Sequence, residues 1–258
     1  MSDFPDQDEQ AVMDLLIDLH LPHERQGPGS ADTTMLAWEI AGLDRTTSYR
    51  VLDIGSGTGA AALTIASETA SIVTAVDLLT PFVAELSRRA MQRGIEGRVT
   101  AIQASMDDLP FPDGDFDVVW AEGSAYNIGF EAAIRAWRPL LRPGGMLVAS
   151  EITWLTAARP SALEDYWNTE YPEIDLASAK FGVLERHGLS PTGYFVLPED
   201  CWREEYYEPL LQDLDALLER HPGALAEQIV QAERAEAALY DEHSTHFGYG
   251  MYIARLAQ

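Results

Sequence analysis

The stretch Val51-Leu52-Asp53-Ile54-Gly55-Ser56-Gly57-Thr58-Gly59 decides the fold. Val51, Leu52 and Ile54 read as a buried strand. Three glycines at alternate positions then break it, and an alanine-rich helix follows over 58–68. A strand that hands over to a helix through glycines lets backbone N–H groups approach a ligand, because no side chain stands in the way. The segment points to a nucleotide-type cofactor and leaves open which one.

Outward from this turn, strands alternate with helices. Strand candidates lie at 50–54, 72–76, 98–102, 116–121 and 145–152, with helices near 58–68, 80–93 and 130–140. Such alternation argues for an α/β fold with a doubly wound parallel sheet covered on both faces. Arg142-Pro143-Gly144-Gly145 reads as a tight turn feeding the fifth strand. Further on, 161–169 and 175–187 read as helices, 192–197 as a strand, 203–242 as a helical insertion and 247–256 as a closing strand. That last strand is free to run antiparallel. Ahead of the sheet, Val12, Leu15, Leu16 and Leu19 recur at helical spacing, and Ser30 reads as the cap of a helix over 31–42.

Charge narrows the partners. The chain of 258 residues carries 42 acidic against 17 basic residues, a net charge of -25, and Lys180 is its only lysine. A surface this negative repels nucleic acid and anionic membranes, so neither is expected as a partner. A salt-rich cell interior and compositional drift toward Arg and Ala both account for the imbalance. No apolar run approaches the roughly 20 residues of a membrane span. The acidic start, with Asp3, Asp6, Asp8 and Glu9, differs from a secretory leader, and a cytoplasmic location is expected. Cys201 stands alone, which excludes an intrachain disulfide and a cysteine-based zinc site; no metal is expected.

Asp77 closes the second strand, where a carboxylate accepts hydrogen bonds from ribose hydroxyls. The alternative is a helix cap ahead of Thr80-Pro81; the ligand role is favoured. A nicotinamide and an S-adenosyl cofactor would both use it. Downstream markers separate the two: Asp107-Asp108-Leu109-Pro110-Phe111, Asp113-Gly114-Asp115-Phe116-Asp117-Val118-Val119 and Leu141-Arg142-Pro143-Gly144-Gly145. With these, the stretch from about 50 to 152 resembles the class I S-adenosylmethionine-dependent methyltransferases, above all the ubiquinone/menaquinone type. Gln26-Gly27-Pro28-Gly29-Ser30 and the segment from Glu122 to Phe130 are similar to a bacterial subgroup of that family.

The resemblance implies a Rossmann-like, seven-stranded, mostly parallel sheet with an antiparallel last strand and helices on both faces. It implies one methyltransferase domain over 1–258, with a helical cap over 1–45, a cofactor-binding core over 46–155 and a substrate-side half over 156–258. It also implies roles. Gly55, Gly57 and Gly59 would line the methionine and ribose portion of S-adenosyl-L-methionine. Asp53 would orient the turn or meet the methionine ammonium, and Asp77, with Leu78 beside it, would hold the ribose. Ser105, Met106 and Asp107 would surround the adenine, and Glu122 and Gly123 would face the sulfonium. Arg25 could reach the methionine carboxylate, although an exposed loop arginine is the favoured reading.

Methyl transfer needs an in-line nucleophile about 3 Å from the methyl and little water between them. Candidate bases are His20, His23 and Glu122, with Glu151 and His246 behind them; for the two N-terminal histidines a surface position is the blander reading. Tyr126, Trp154, Tyr171 and Trp202 would line an apolar pocket for a small-molecule methyl acceptor, or else pack in the core. An aromatic box of this kind could also hold a sulfonium or an amine. Leu210, Leu211, Leu214, Leu217 and Leu218 form a stripe expected to dock on the sheet, the alternatives being a lid or a dimer surface, which keeps a homodimer among the expectations. Two other functions stay open: an NAD-dependent oxidoreductase, which the downstream markers disfavour, and a non-catalytic cofactor-binding protein.

Overall fold

The computed structural model describes residues 6–257. Asp3 and the rest of the first five residues of the expected cap lie outside the described residues.

The glycine turn sits at the centre of the sheet. Strand β1 (Arg50–Ile54) is buried beyond its first residue and pairs in parallel with β2 (Ile72–Asp77) on one side and β4 (Phe116–Glu122) on the other. Strand β3 (Val99–Gln103) flanks β2, and β5 (Leu141–Trp154) flanks β4, both in parallel. Two-residue β6 (Asp175–Leu176) pairs with the end of β5. Strand β8 (Phe247–Leu256) lies antiparallel between β5 and β7 (Leu189–Val196), so the order is β3-β2-β1-β4-β5-β8-β7. The expected seven strands are present with β6 as a short eighth, and β8 is the one antiparallel member.

Strand direction and burial explain each other. Along β1, β4 and β5, neighbours such as Val51 and Leu52, Val118 and Val119, or Leu147 and Val148 enter cores on opposite faces of the sheet. A sheet buried on both faces needs continuous apolar strands, which these are. Helices α2 (Ala31–Ile40), α3 (Ala60–Glu68) and α4 (Thr80–Gln92) supply one face. The other is covered by α5 (Phe130–Trp137) and α7 (Ala177–Arg186). Helix α6 (Ser161–Glu170), between them in sequence, packs Leu163 into the first face's core. Ser30 starts α2 by a reciprocal capping box: its hydroxyl accepts from Thr33 N at 3.1 Å, and Thr33 Oγ1 accepts from Ser30 N at 2.9 Å.

Three details depart from the sequence reading. The expected Arg142–Gly145 turn is a bulge inside β5, because Phe116 pairs with Leu141 and Val118 already pairs with Met146. A side chain at Gly145 would come within 3.0 Å of the Asp117 carbonyl, so only glycine lets the bulge lie flat. Strand β7 begins three residues earlier than expected, at Leu189. The insertion is not one helix: the three-residue turn α8 (Asp200–Trp202) runs through a π-helical turn (Arg203–Tyr207) into α9 (Glu208–Arg220), and Pro222-Gly223 separates α9 from α10 (Ala224–His243).

The leucine stripe of α9 does not dock on the sheet. Leu210, Leu214 and Leu217 pack with Leu15 and Leu19 of α1 (Asp6–His20) and with Ile229 and Val230 of α10, as a separate cluster. The place at the sheet core is taken instead by Trp202, Tyr207 and Tyr240, which flank the stripe in sequence. At about 1.5–3 kcal/mol per fully buried leucine, this small cluster is what holds the first helix to the insertion.

Candidate active site

Gly55, Gly57 and Gly59 have φ of +70°, +54° and +99°, a region that side chains disfavour. The surroundings add a steric reason at each. A Cβ at Gly55 would collide with Ser124, one at Gly57 with the Gln26 amide, and one at Gly59 would lie 2.6 Å from Leu86 Cγ. The turn is fastened by Asp77, whose Oδ2 accepts from Gly57 N at 2.8 Å and whose Oδ1 accepts from Leu79 N at 2.9 Å. Asp77 therefore braces the turn through Gly57 N and the loop ahead of α4 through Leu79 N, while α4 itself has no side-chain cap. Burial raises its carboxyl, while these backbone donors pull it back down.

A cleft enclosing about 480 Å³ lies at the carboxyl ends of β1 and β4, where the strand order reverses. Its walls are the glycine turn, the first residues of α3, Gly123 and the segment Arg25–Pro28. Asp53 lies beneath it, 2% exposed, held to α3 by the Ala62 N–H. Its Oδ2 has no partner. Burial above all, and then the charge of Glu122, pushes this carboxyl up to about 8.

Arg25 is not an exposed loop residue. Its Nη1 donates to Glu122 Oε2 at 2.8 Å, and each of these side chains is 8% exposed. Glu122 Oε1 accepts from Thr34 Oγ1 at 2.7 Å and from Trp120 Nε1 at 2.9 Å. The capped α2 folds the loop back onto the strand ends, which brings the guanidinium to the carboxylate. Both oxygens of Glu122 are thereby engaged, so it is a brace between loop and sheet rather than a poised base. Removing one member of such a pair leaves a buried charge alone.

A second cleft, about 800 Å³, opens beside the first and shares Gln26, Gly27, Pro28 and Gly123 with it. Its lining is aromatic. Tyr126, Tyr171 and Trp202 contribute; Tyr171 and Trp202 also pack in the core, while Tyr126 is 43% exposed. Tyr126 meets Tyr171 edge to face at 6.2 Å, and Trp202 is stacked on Tyr240 at 4.4 Å. Trp154 is elsewhere: it is buried in the core beneath the Arg159 guanidinium, 4.2 Å from its ring. Trp167 lines the cleft instead, with Tyr166, Tyr206 and Tyr249. Glu170 and Glu236 also line it, and nothing in their spacing announced them. The one available signal was their nearness in sequence to aromatic residues.

The remaining candidates divide. His20 and His23 line neither cleft. Nor are they surface residues, because Gln26 Nε2 takes both their carbonyls at 3.2 Å and Arg89 takes that of His23 at 2.9 Å, drawing the loop onto α4. Burial, and then the neighbouring His23, lowers His20 to about 4, so it is neutral near pH 7. His246 pairs with Thr156 Oγ1 at 3.0 Å, outside both clefts. Leu78 is 59% exposed, and Ser105 donates to the exposed Asp107 beyond the β3 end. Met106, fixed by Trp137 Nε1 on its carbonyl at 2.8 Å, points its methyl toward Gly55. Glu151 and Lys180 form a buried pair at 3.5 Å, and Glu151 Oε2 has no partner. Burial drives both toward their neutral forms, raising Glu151 to about 7 and lowering Lys180. Among the described residues, no group of three or more His, Cys, Asp or Glu is placed to hold a metal.

Residues 51–145 match the family described as a methyltransferase domain. The ubiquinone/menaquinone biosynthesis C-methyltransferase UbiE of Pseudomonas fluorescens is 33% identical over 134 residues, covering 50% of this chain and 51% of that one. The chain spans about half the length of the curated relatives it matches. Among solved structures, the [4+2]-cyclase SpnF is 26% identical with a TM-score of 0.75, over 97% of this chain and 94% of that one. A methyltransferase from Geobacter sulfurreducens in complex with S-adenosyl-L-homocysteine superposes with a TM-score of 0.79 at 21% identity, over 98% of this chain and 99% of that one. The strand order, the glycine turn and these similarities converge: residues 51–145 match a methyltransferase domain, and the chain is similar to the bacterial ubiquinone/menaquinone C-methyltransferases and shares the fold of a methyltransferase that binds S-adenosyl-L-homocysteine.

Proposed function

We propose that this protein transfers a methyl group from S-adenosylmethionine to a small organic acceptor held in the aromatic cleft. The observation that carries the reading is the meeting of two clefts, one walled by backbone and one by aromatic rings, at Gln26–Pro28 and Gly123. The residues present fit the donor. Asp53 offers a buried, unpartnered oxygen for the methionine ammonium, and the N-terminal end of α3 at the cleft suits its carboxylate. Asp77 keeps acceptor capacity for ribose hydroxyls, and Met106 stands on the adenine side. Gly123 has φ of +60°, and a side chain on it would crowd Tyr249 where the clefts join.

When bound, the sulfonium supplies an activated methyl. The chain's own work is to bind, to align and to exclude water. Segment Gln26–Pro28 closes over the junction, and Tyr126, Tyr171 and Trp202 hold the acceptor against it. We read the N-terminal helices, the sheet and the insertion as one functional unit, since both clefts draw on more than one of them. The net charge of -25 favours a small-molecule acceptor over nucleic acid.

Calorimetry with S-adenosylhomocysteine and with NADH tests the donor. Binding of the first and not the second is expected; the reverse would establish the oxidoreductase. A similar chain is a cyclase, so the fold alone leaves the reaction to be measured. Transfer of a labelled methyl from S-adenosylmethionine to a small molecule in a cell extract is expected. A protein that binds the homocysteine product yet moves no label would refute methyl transfer.

A further inference from the structure

We infer that the acceptor is a cation: a compact amine, bound as its ammonium form, with an apolar body. This rests on the methyltransferase reading and names the substrate class of the same site. The aromatic cleft contains Glu170 from α6 and Glu236 from α10, and no Lys, Arg or His lines it. Glu233 lies one helical turn before Glu236. Glu170 and Glu236 come from two helices to one cleft, Glu170 at its exposed rim and Glu236 half-buried. Around them stand the rings of Tyr126, Tyr166, Trp167 and Tyr249.

The two kinds of group attract the same ligand. An aromatic face carries a negative quadrupole that draws a cation, more strongly where water is excluded. A half-buried carboxylate without a counter-charge is costly unless paired. Glu236 accepts the Tyr207 hydroxyl at 2.9 Å through Oε1, and its Oε2 takes no bond from the described residues. A neutral alcohol or quinol would leave these charges unmatched. Burial raises Glu233 to about 7 and raises Glu236, and a cation beside them would favour their charged forms. The chemistry balances. The bound ammonium gives its proton to a cleft carboxylate; the nitrogen lone pair then forms the N–C bond while the C–S bond breaks and leaves its electron pair on sulfur.

The test uses the full chain saturated with S-adenosylhomocysteine. Calorimetry compares 2-phenylethylamine with 2-phenylethanol, and benzyltrimethylammonium with neopentylbenzene, its uncharged carbon isostere. Each cation is expected to bind at least tenfold more tightly than its neutral partner. Glu236→Gln, and separately the rim variant Glu170→Gln, should each reduce that preference at least threefold while affinity for S-adenosylhomocysteine stays unchanged. Equal binding of charged and neutral partners, absence of binding by either cation, or a preference untouched by both substitutions would overturn the inference. Failure of S-adenosylhomocysteine itself to bind would strike the methyltransferase reading instead, so the two are separable.

Discussion

The two clefts are built by opposite means. The cofactor side is made of backbone: three positive-φ glycines, a helix start and one carboxylate that braces them. The aromatic side, proposed to hold the acceptor, is made of side chains delivered by α6, the π-helical turn, α10 and β8. Backbone sites are intolerant, because any added atom meets something. Side-chain sites can be refilled ring by ring without touching the turn. A fold with both keeps its donor while its acceptor changes.

The sharpest way to break that contrast is Gly57→Val. It places a branched side chain at a φ of +54° and into the space of the Gln26 amide. Affinity for S-adenosylhomocysteine should fall at least 100-fold by calorimetry, with the far-ultraviolet dichroism of the fold retained. Unchanged affinity would mean that the cleft is not walled by backbone.

Leu214→Ala strikes the other side. Leu214 is fully buried in the cluster that joins α1, α9 and α10. The substitution should destabilise by about 3 kcal/mol in urea denaturation, in the range of leucine-to-alanine losses. Turnover should drop about tenfold while affinity for S-adenosylhomocysteine stays within threefold. If both fall together, the clefts are not energetically separable.

A third test concerns Asp53 and pH. Its native carboxyl is raised to about 8, against an ordinary value of 3.8, so the folded state holds a proton that the unfolded state releases between those limits. Stability should therefore decline as pH rises from about 4 to about 8 and level off above that. Glu151 and Glu233, also raised, act in the same direction. Asp53→Asn should make the decline shallower without abolishing it, read as the urea midpoint between pH 5 and pH 8.5. An identical slope in the variant would show that Asp53 is not the protonated group.

What was legible in the sequence follows the same division. The strand–turn–helix at 50–60 could be read because glycine spacing is a backbone constraint written directly in residue types. The alternation of apolar strands gave the sheet for a similar reason: period and burial are local. The α9 leucines misled because a helical stripe states that a face is buried and not against what; Leu15 and Leu19, some 190 residues away, take it. Arg25 misled because its partner Glu122 is distant in sequence and only the folded loop joins them. Trp154 and Trp167 could not be told apart, since both are tryptophans near element ends and only the path of β5 decides which one is covered. Glu170 and Glu236 were invisible among 42 acidic residues.

Lys180 has a practical corollary. It is the only lysine in the chain and is 3% exposed, with its ammonium against Glu151, the Glu173 carbonyl and the Phe130 ring. Reagents that acylate lysine side chains therefore find none at the surface, and dyes, cross-linkers or solid supports that depend on them attach poorly. The same seclusion makes Lys180 a single-site clock: the rate at which it is acylated reports how often its surroundings between α5 and α7 open.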